Sequence, residues 1–381
     1  MKTVLLTLGR LPKALDLARS FAAAGWRVVV AEPFRRHLAG ASRHVARSYQ
    51  VTAPAVDRHR YLAELADVVL REDVGLVVPI SEETMHVAFL APLVGPEVRV
   101  FTMPPEVVLP LHDKHRFILR ARAEGVAAPE TVALGDPAAA AMVARQDVVV
   151  KPVYSCSGRG VRMLPRGSPL PRDEAAIVQA FIPGAIYSTC SLAHGGQPAV
   201  TVVYRAVTLS GSVAVAFERV TDQPAIEAWV TRFIAGTSYS GFISFDFVVD
   251  EAGKPWGIEC NPRTTSGLHF LAPEDLAPAI VAPGTAVRFR PDRQLQQFWS
   301  CLTETQHAFG DWPRFRANLQ QLVGTRDVTW HWRDPLPLLT MPYTAWQIIA
   351  MARARGVPFG EVATLDVGWY GDPVSAAAAA P

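Results

Sequence analysis

The sequence predicts a protein of α/β and α+β class, with a doubly wound N-terminal sheet, a mixed domain built round an antiparallel hairpin, and a helical C-terminal appendage. Three observations carry this. Short apolar runs alternate with helical patterns at the start of the chain. Alternating apolar residues flank a tight turn near residue 250, and the composition changes after Pro283.

Residues 3–8, 27–31, 47–51, 75–80 and 97–101 read as short buried strands, with helical patterns at 12–24, 57–71 and 82–91 between them. Residues 1–105 therefore form a parallel doubly wound unit, closed by Pro104 and Pro105. Gly9 lies at the first strand-to-helix turn, but Arg10-Leu11-Pro12 follow it instead of the further glycines of a dinucleotide fingerprint, so NAD is not expected. Residues 106–283 hold a helix at 113–124, antiparallel strands through 177–217, a helix near 225–234 and the hairpin. Residues 284–381 read as helices and loops in which Trp299, Trp312, Trp330, Trp332 and Trp346 pack with His307 and His331, ending in an Ala-rich tail expected to be disordered or a frayed helix.

At 381 residues, half of them hydrophobic, the chain can bury the cores of two or three domains. Net charge is only +2 with no basic block, which argues against nucleic acid as the principal partner. No apolar run approaches the roughly 18 residues of a membrane span, and Met1 leads directly into a strand without a signal-peptide pattern. Cys156, Cys190, Cys260 and Cys301 are scattered without a C-x-x-C pair, so neither a zinc site nor a disulfide framework is expected. These features fit a cytoplasmic enzyme with no membrane partner. A Ser-His-Asp hydrolase lacks its G-x-S-x-G elbow.

The hairpin GFISFDFVVDEAGKPWGIECNPR carries the chemistry. Pairing across its turn brings Asp246 to Glu259, and period-2 geometry puts Glu259 and Asn261 on one face, with Cys260 buried on the other. Two carboxylates and an amide oxygen at one point suit Mg²⁺, which shares its coordination with substrate phosphates. The other reading makes Asp246 a strand-edge partner of an arginine and Asn261 the opening of a turn. A second constellation joins Lys114, in HDKHRF, to Lys151, which leads into a turn containing Ser157, Gly158, Arg159 and Gly160. Small residues there let backbone N–H groups approach an anion, and the lysines add charge for phosphate oxygens. The third element, Gln179-Ala180-Phe181-Ile182 before Pro183-Gly184, either offers backbone groups to a flat heterocycle or is simply a strand end.

Taken in order, these elements resemble the ATP-grasp superfamily over roughly Lys114 to Ser266. The resemblance implies ATP and Mg²⁺ as cofactors. Lys114 and Lys151 would hold the phosphates, and Tyr154 to Gly160 is the natural lid, since its small residues permit motion. Gln179, Ala180, Phe181 and Ile182 would hold adenine, and Asp246, Glu259 and Asn261 the metal. Arg263 would face the transferred phosphoryl group, with Thr264, Thr265 and Ser266 beside it on the substrate side. Ile186 stands where many members have a ribose-binding Glu and Ser244 where many have a phosphate-binding Arg, so Arg159 and Arg205 are candidates to compensate. Glu218 and His269 are candidates for the amine of a second substrate. Glu218 beside Arg219 also reads as a surface ion pair, and His269 reads more readily as a packing residue.

A narrower similarity runs end to end. KALDLARSFAAAGWRVVVAE, ISFDF, IECNPRTTSG and DPLPLLTMPYTAWQI look like the mycosporine-glycine synthetase family. That resemblance implies a ligase that phosphorylates an enol oxygen of 4-deoxygadusol and lets glycine displace the phosphate. Related ligases use carboxylic acids, so a carboxylate–amine ligase is the alternative. A nucleotide-binding protein without turnover is the second alternative, favoured by Ile186 and Ser244. By analogy the partners are a small acceptor and an amino acid, with a homodimer possible through the N-terminal domain or appendage.

Overall fold

The computed structural model describes residues 1–155, 158–172, 175–211, 213–355 and 364–371. The N-terminal strands β1 (Thr3–Leu6), β2 (Arg27–Glu32), β3 (Arg47–Gln50), β4 (Val74–Val78) and β5 (Arg99–Val100) form a parallel sheet in the order β3-β2-β1-β4-β5. Alternate residues enter opposite cores. Val4, Leu6, Val28 and Val30 pack with Leu17 and Phe21 of α1 (Pro12–Ala23), whereas Leu5, Val29 and Ala31 pack with Tyr61 and Leu65 of α2 (Arg58–Arg71). Asp57 starts α2 by accepting from Arg60 N–H at 2.9 Å.

The expected helix over 82–91 is reduced to one turn, α3 (Thr84–Val87), followed by a 3₁₀ turn at Ala91–Leu93. Glu83 folds back onto the end of β4, accepting from Ile80 N–H at 2.6 Å and Ser81 N–H at 3.0 Å, which holds 80–83 out of the helix. Conversely, Pro104-Pro105 starts a helix, α4 (Pro105–His112), because proline at the first helical position loses no hydrogen bond. At the Gly9 turn, Gly9 and Arg10 N–H donate to the Glu32 carboxylate at 2.8 and 2.9 Å.

Next come α5 (Lys114–Ala123), β6 (Thr131–Ala133), α6 (Pro137–Arg145), β7 (Val148–Pro152), β8 (Arg162–Leu164) and β9 (Ala176–Ala180). These four strands form an antiparallel sheet in the order β6-β9-β7-β8, with α6 on its apolar face. The largest sheet has the order β14-β13-β10-β11-β12-β15-β16. Its strands are β10 (Ala185–His194), β11 (Gln197–Ser210), β12 (Val213–Val220), β13 (Gly241–Val249), β14 (Pro255–Asn261), β15 (Gln294–Gln296) and β16 (Arg326–Asp327). One face carries α7 (Pro224–Thr237), whose Trp229 lies 5.3 Å from Phe233, 5.2 Å from Phe245 and 5.0 Å from Phe247. The opposite face, through Cys190, Leu192, Val202, Tyr204 and Phe217, shares one core with α1 and α8 (Pro273–Val281).

The C-terminal region departs from the expected helices and loops. Besides α9 (Phe298–His307), α10 (Trp312–Gly324) and α11 (Leu336–Arg355), it supplies β15 and β16 to the large sheet, where Leu295 pairs with Phe217. A three-residue strand is too short to show a period. The tryptophans also differ from expectation: Trp312, Trp330, Trp332 and Trp346 are exposed, as is His307, and α10 itself buries only Leu322, leaving Trp312 outward. No described helix is long and apolar enough to cross a membrane.

Trp229 anchors the aromatic core under the hairpin, so Trp229→Ala should cost about 3–5 kcal/mol. Denaturant unfolding will measure it, and a loss below 1 kcal/mol would contradict this packing.

Candidate active site

Pairing of β13 with β14 sets Asp246 directly opposite Glu259 and Ser244 opposite Asn261, with a bulge following Asp246. Phe245 and Cys260 form the pair between them and point into the α7 core, where burial pushes the Cys260 thiol well up. On the other face, Asp246 accepts from Ser188 Oγ at 2.5 Å and from Asn261 Nδ2 at 3.2 Å. Burial first, and the facing Glu259 second, raise Asp246 to about 6.

Positive charge converges on this pair. Asp113 caps α5 by accepting from His115 and Arg116 N–H at 2.9 and 3.0 Å, and this cap presents Lys114 at the first helical position. Lys114, 2% exposed, places Nζ 3.2 Å from Glu259 Oε1 and 2.8 Å from the Ser155 carbonyl. Lys151 on β7 is buried and donates to Gln179 Oε1 at 2.8 Å, while Gln179 donates to Thr131 Oγ1 at 3.1 Å. Burial lowers Lys151 to about 8 against the opposing pull of Glu259. Asn261 Oδ1 accepts from Arg263 at 3.0 Å, and Arg263 pairs with buried Glu82 at 2.5 Å. Burial pushes the Glu82 carboxyl up, but Arg263 and His112 more than offset it and leave it below its ordinary value.

The residues after Arg263 tie the hairpin to the parallel sheet. The Thr264 hydroxyl donates to the Ile80 carbonyl, and the Thr264 carbonyl accepts from Lys13 Nζ at 2.7 Å. Thr265 Oγ1 donates to the Thr189 carbonyl at 3.0 Å, and Ser266 opens a 3₁₀ turn. Burial and Arg263 together lower Lys13 to about 7. The donor set suits a hard cation: two facing carboxylates and an amide oxygen leave room for other oxygens, and a bound positive charge would offset the burial and the Glu259 repulsion that raise Asp246.

At the other candidate positions, Ala180 N–H donates to the Glu130 carbonyl and Phe181 N–H to the Asp147 carbonyl, so Ala180 can offer a heterocycle only its carbonyl. Ile182 follows directly, and Phe181 is 38% exposed. Gly158 and Gly160 have φ of +68° and +73°, a region that favours glycine. Arg159 lies over the Tyr370 ring at 5.1 Å. Ser157 lies outside the described residues.

Three expected members do not join. Arg205 pairs with Glu218 across β11 and β12 at 2.7 Å. The register Asp246–Ser188–Tyr204–Arg219 places that ion pair on the opposite face of the sheet. His269 is 1% exposed, sits 2.6 Å from Asp16 Oδ2, and stacks on Phe217 at 5.8 Å. Asp16 also binds Arg290 at 2.9 Å, so His269 is a packing residue between α1 and the large sheet. A cavity of about 710 Å³ lies on that side, lined by Arg19, Arg288, Arg290 and Trp330, away from the carboxylate pair.

Sequence reasoning missed Ser188, Glu82, Lys13 and His112. Glu82 and Lys13 follow the carboxyl ends of β4 and β1, where the strand order reverses, and that rule marks them once the sheet is known. Ser188 becomes visible only through register.

Glu218→Ala should change stability by less than about 1 kcal/mol, as for an exposed pair, whereas His269→Ala should cost roughly 3–5 kcal/mol by leaving Asp16 underpaired. Paired thermal unfolding curves decide this, and equal effects would overturn the contrast.

The ATP-grasp domain family model matches residues 111–267. No curated protein sequence matches the chain. Among solved structures, N5-carboxyaminoimidazole synthetase from Staphylococcus aureus superposes with a TM-score of 0.62 at 12% identity, covering 82% of this chain and 86% of that one. L-amino acid ligase from Bacillus licheniformis gives 0.59 at 13% identity, covering 74% and 75%. Biotin carboxylase from Campylobacter jejuni gives 0.60 at 15% identity, covering 76% and 74%. With its parallel N-terminal sheet, capped Lys114 and β13–β14 hairpin, the chain has the ATP-grasp fold.

Proposed function

We propose that the protein is an ATP-dependent ligase that forms a C–N bond, transferring the γ-phosphoryl group of ATP to an enol or carboxylate oxygen and letting an amino acid amine displace the phosphate. The observation that carries this reading is the convergence of Lys114, Lys151, Asp246, Glu259, Asn261 and Arg263 on one largely buried point of an ATP-grasp fold.

Asp246, Glu259 and Asn261 are the residues that would hold Mg²⁺, which supplies positive charge to phosphate oxygens when bound. Lys114 and Lys151 neutralise phosphate charge from buried positions, where they are pre-placed and need little reorganisation. Arg263 is held between Glu82 and Asn261, so its guanidinium is oriented before substrate arrives to meet charge on the transferring group. The Ala180 carbonyl, the Ile182 backbone and Gln179 form the adenine edge. Burial of Lys151, Asn261 and Thr264 keeps water from the phosphorylated acceptor until the amine adds. The acceptor lies on the Glu82 and Lys13 side, at the carboxyl ends of β1 and β4, because open α/β sheets bind ligands where strand order reverses.

The finer reading is an enol acceptor of the 4-deoxygadusol type with glycine as the amine. It is supported by the sequence stretches that run beyond the ATP-grasp domain, including DPLPLL. In that stretch Asp334 accepts from Ser42 Oγ at 2.7 Å and Arg43 N–H at 3.1 Å, so the motif docks the C-terminal region onto the N-terminal one. A carboxylate acceptor is the second reading, favoured by fold likeness to an L-amino acid ligase over three quarters of each chain.

ADP release and product mass, measured for 4-deoxygadusol and simple carboxylic acids against the twenty amino acids with Mg²⁺, test these readings. Product with the cyclohexenone and one amino acid supports the enol reading, and product with a carboxylic acid selects the second. Nucleotide binding without any product would favour a binding protein. In the productive pair, Glu259→Ala should lower ADP formation by at least about a hundredfold, as should chelation of the metal. Full turnover in that variant would sink the site assignment.

A further inference from the structure

Residues 364–371 cross the carboxyl ends of the parallel sheet and finish beside the turn that follows Lys151. The segment is tied down first at Asp366, whose two oxygens accept from Arg10 at 2.7 and 3.0 Å and whose carbonyl accepts from Ala55 N–H at 3.1 Å. Arg10 is also held by Glu32 at 2.6 Å, so the anchor is a buried Glu–Arg–Asp triad. Trp369, 4% exposed, then stacks on Phe89 at 5.9 Å with the Arg58 guanidinium 5.0 Å from its ring. The Gly368 and Trp369 carbonyls face His86 Nε2 and His112 Nε2 at 3.1 and 3.4 Å.

The far end meets the candidate nucleotide site. The Arg159 guanidinium lies over the Tyr370 ring at 5.1 Å. Gly371, at φ +92°, approaches Tyr154 so closely that a Cβ there would sit 3.3 Å from Cε2. Tyr154 stacks on His112 at 5.8 Å and donates to Asp113 at 3.2 Å, and Asp113 is the cap that presents Lys114.

We propose that residues 364–371 form a positioning strap of the nucleotide site, in which Tyr370 and Gly371 hold Arg159 and Tyr154 in register with Lys114 and Lys151. The inference rests on the nucleotide reading above. Its physical basis is preorganisation: a long arginine side chain ordered in advance on an aromatic ring loses less freedom when a phosphate arrives. Tyr370 is 38% exposed, so losing its ring removes little core packing and separates positioning from folding. The Arg10–Asp366 pair transmits the position of the parallel sheet to the same point, which links the acceptor side of the site to its phosphate side.

The test is binding of the non-hydrolysable analogue Mg-AMPPNP to the full chain by calorimetry, with hydrogen exchange read at residues 158–160. Ordering one rotamer-rich side chain in advance is worth a roughly two- to tenfold change in affinity. Tyr370→Leu should weaken binding by that factor and erase the nucleotide-dependent protection of 158–160, with the unfolding midpoint of the free protein unchanged. Tyr370→Phe keeps the ring face and should restore both. Asp366→Asn, which loosens the anchor, should reproduce the loss of protection. If the unaltered protein binds Mg-AMPPNP and Tyr370→Leu binds it equally tightly with equal protection, the strap is packing alone and the proposal is overturned. An unaltered protein that fails to bind Mg-AMPPNP overturns the nucleotide reading itself and the strap with it.

Discussion

Two carboxylates of one hairpin, Asp246 and Glu259, face each other in a largely buried place, and the surrounding structure answers that repulsion. Ser188 and Asn261 donate to Asp246, and Lys114 meets Glu259. Arg263 holds the oxygen of Asn261, Glu82 balances Arg263, and Lys13 reaches the carbonyl of Thr264. Ser188, Lys114, Glu82 and Lys13 come from four different elements, so satisfying one like-charge pair fixes the hairpin relative to β10, α5, the end of β4 and α1. Like charges held together at this cost are common where a cation and phosphates are to be received.

The large sheet is what makes such convergence rigid. On one face its aromatic residues pack with Trp229 and Phe117, so the non-reacting side of β13 and β14 cannot shift without opening a core. On the other face Tyr204 and Phe217 share a core with α1, which brings the parallel sheet to the edge of the site. The two faces divide the labour: Phe245 and Cys260 hold, while Asp246, Glu259 and Asn261 are presented. The same alternation puts Arg205 and Glu218 on the face opposite Asp246.

The C-terminal quarter is bound into this framework through two aspartates. Asp334 gathers Ser42, Arg43 and Arg19, and Asp366 gathers Arg10. Together with β15, which pairs with β12, these contacts dock the region onto both the parallel sheet and the large sheet. Its exposed tryptophans lie on the outward side and take no part in that docking.

By itself the sequence determined the class of the fold and the meeting of Asp246, Glu259 and Asn261 on one face of the hairpin. The period-2 run of β13, the turn 250–254 and the Glu-x-Asn spacing are local features, and local geometry alone brings Asp246, Glu259 and Asn261 together. Lys114 and Lys151 were legible because a capped helix start and a strand end before a small-residue turn are also local signals. Only the tertiary structure decided what partners them. Ser188 depends on the register of β10 against β13, Glu82 on how the end of β4 meets Arg263, and Asp366 on a contact that spans nearly the whole chain. It likewise decided that Glu218 and His269 serve ion pairing and packing, because the side of a sheet that a residue faces is set by pairing partners distant in sequence.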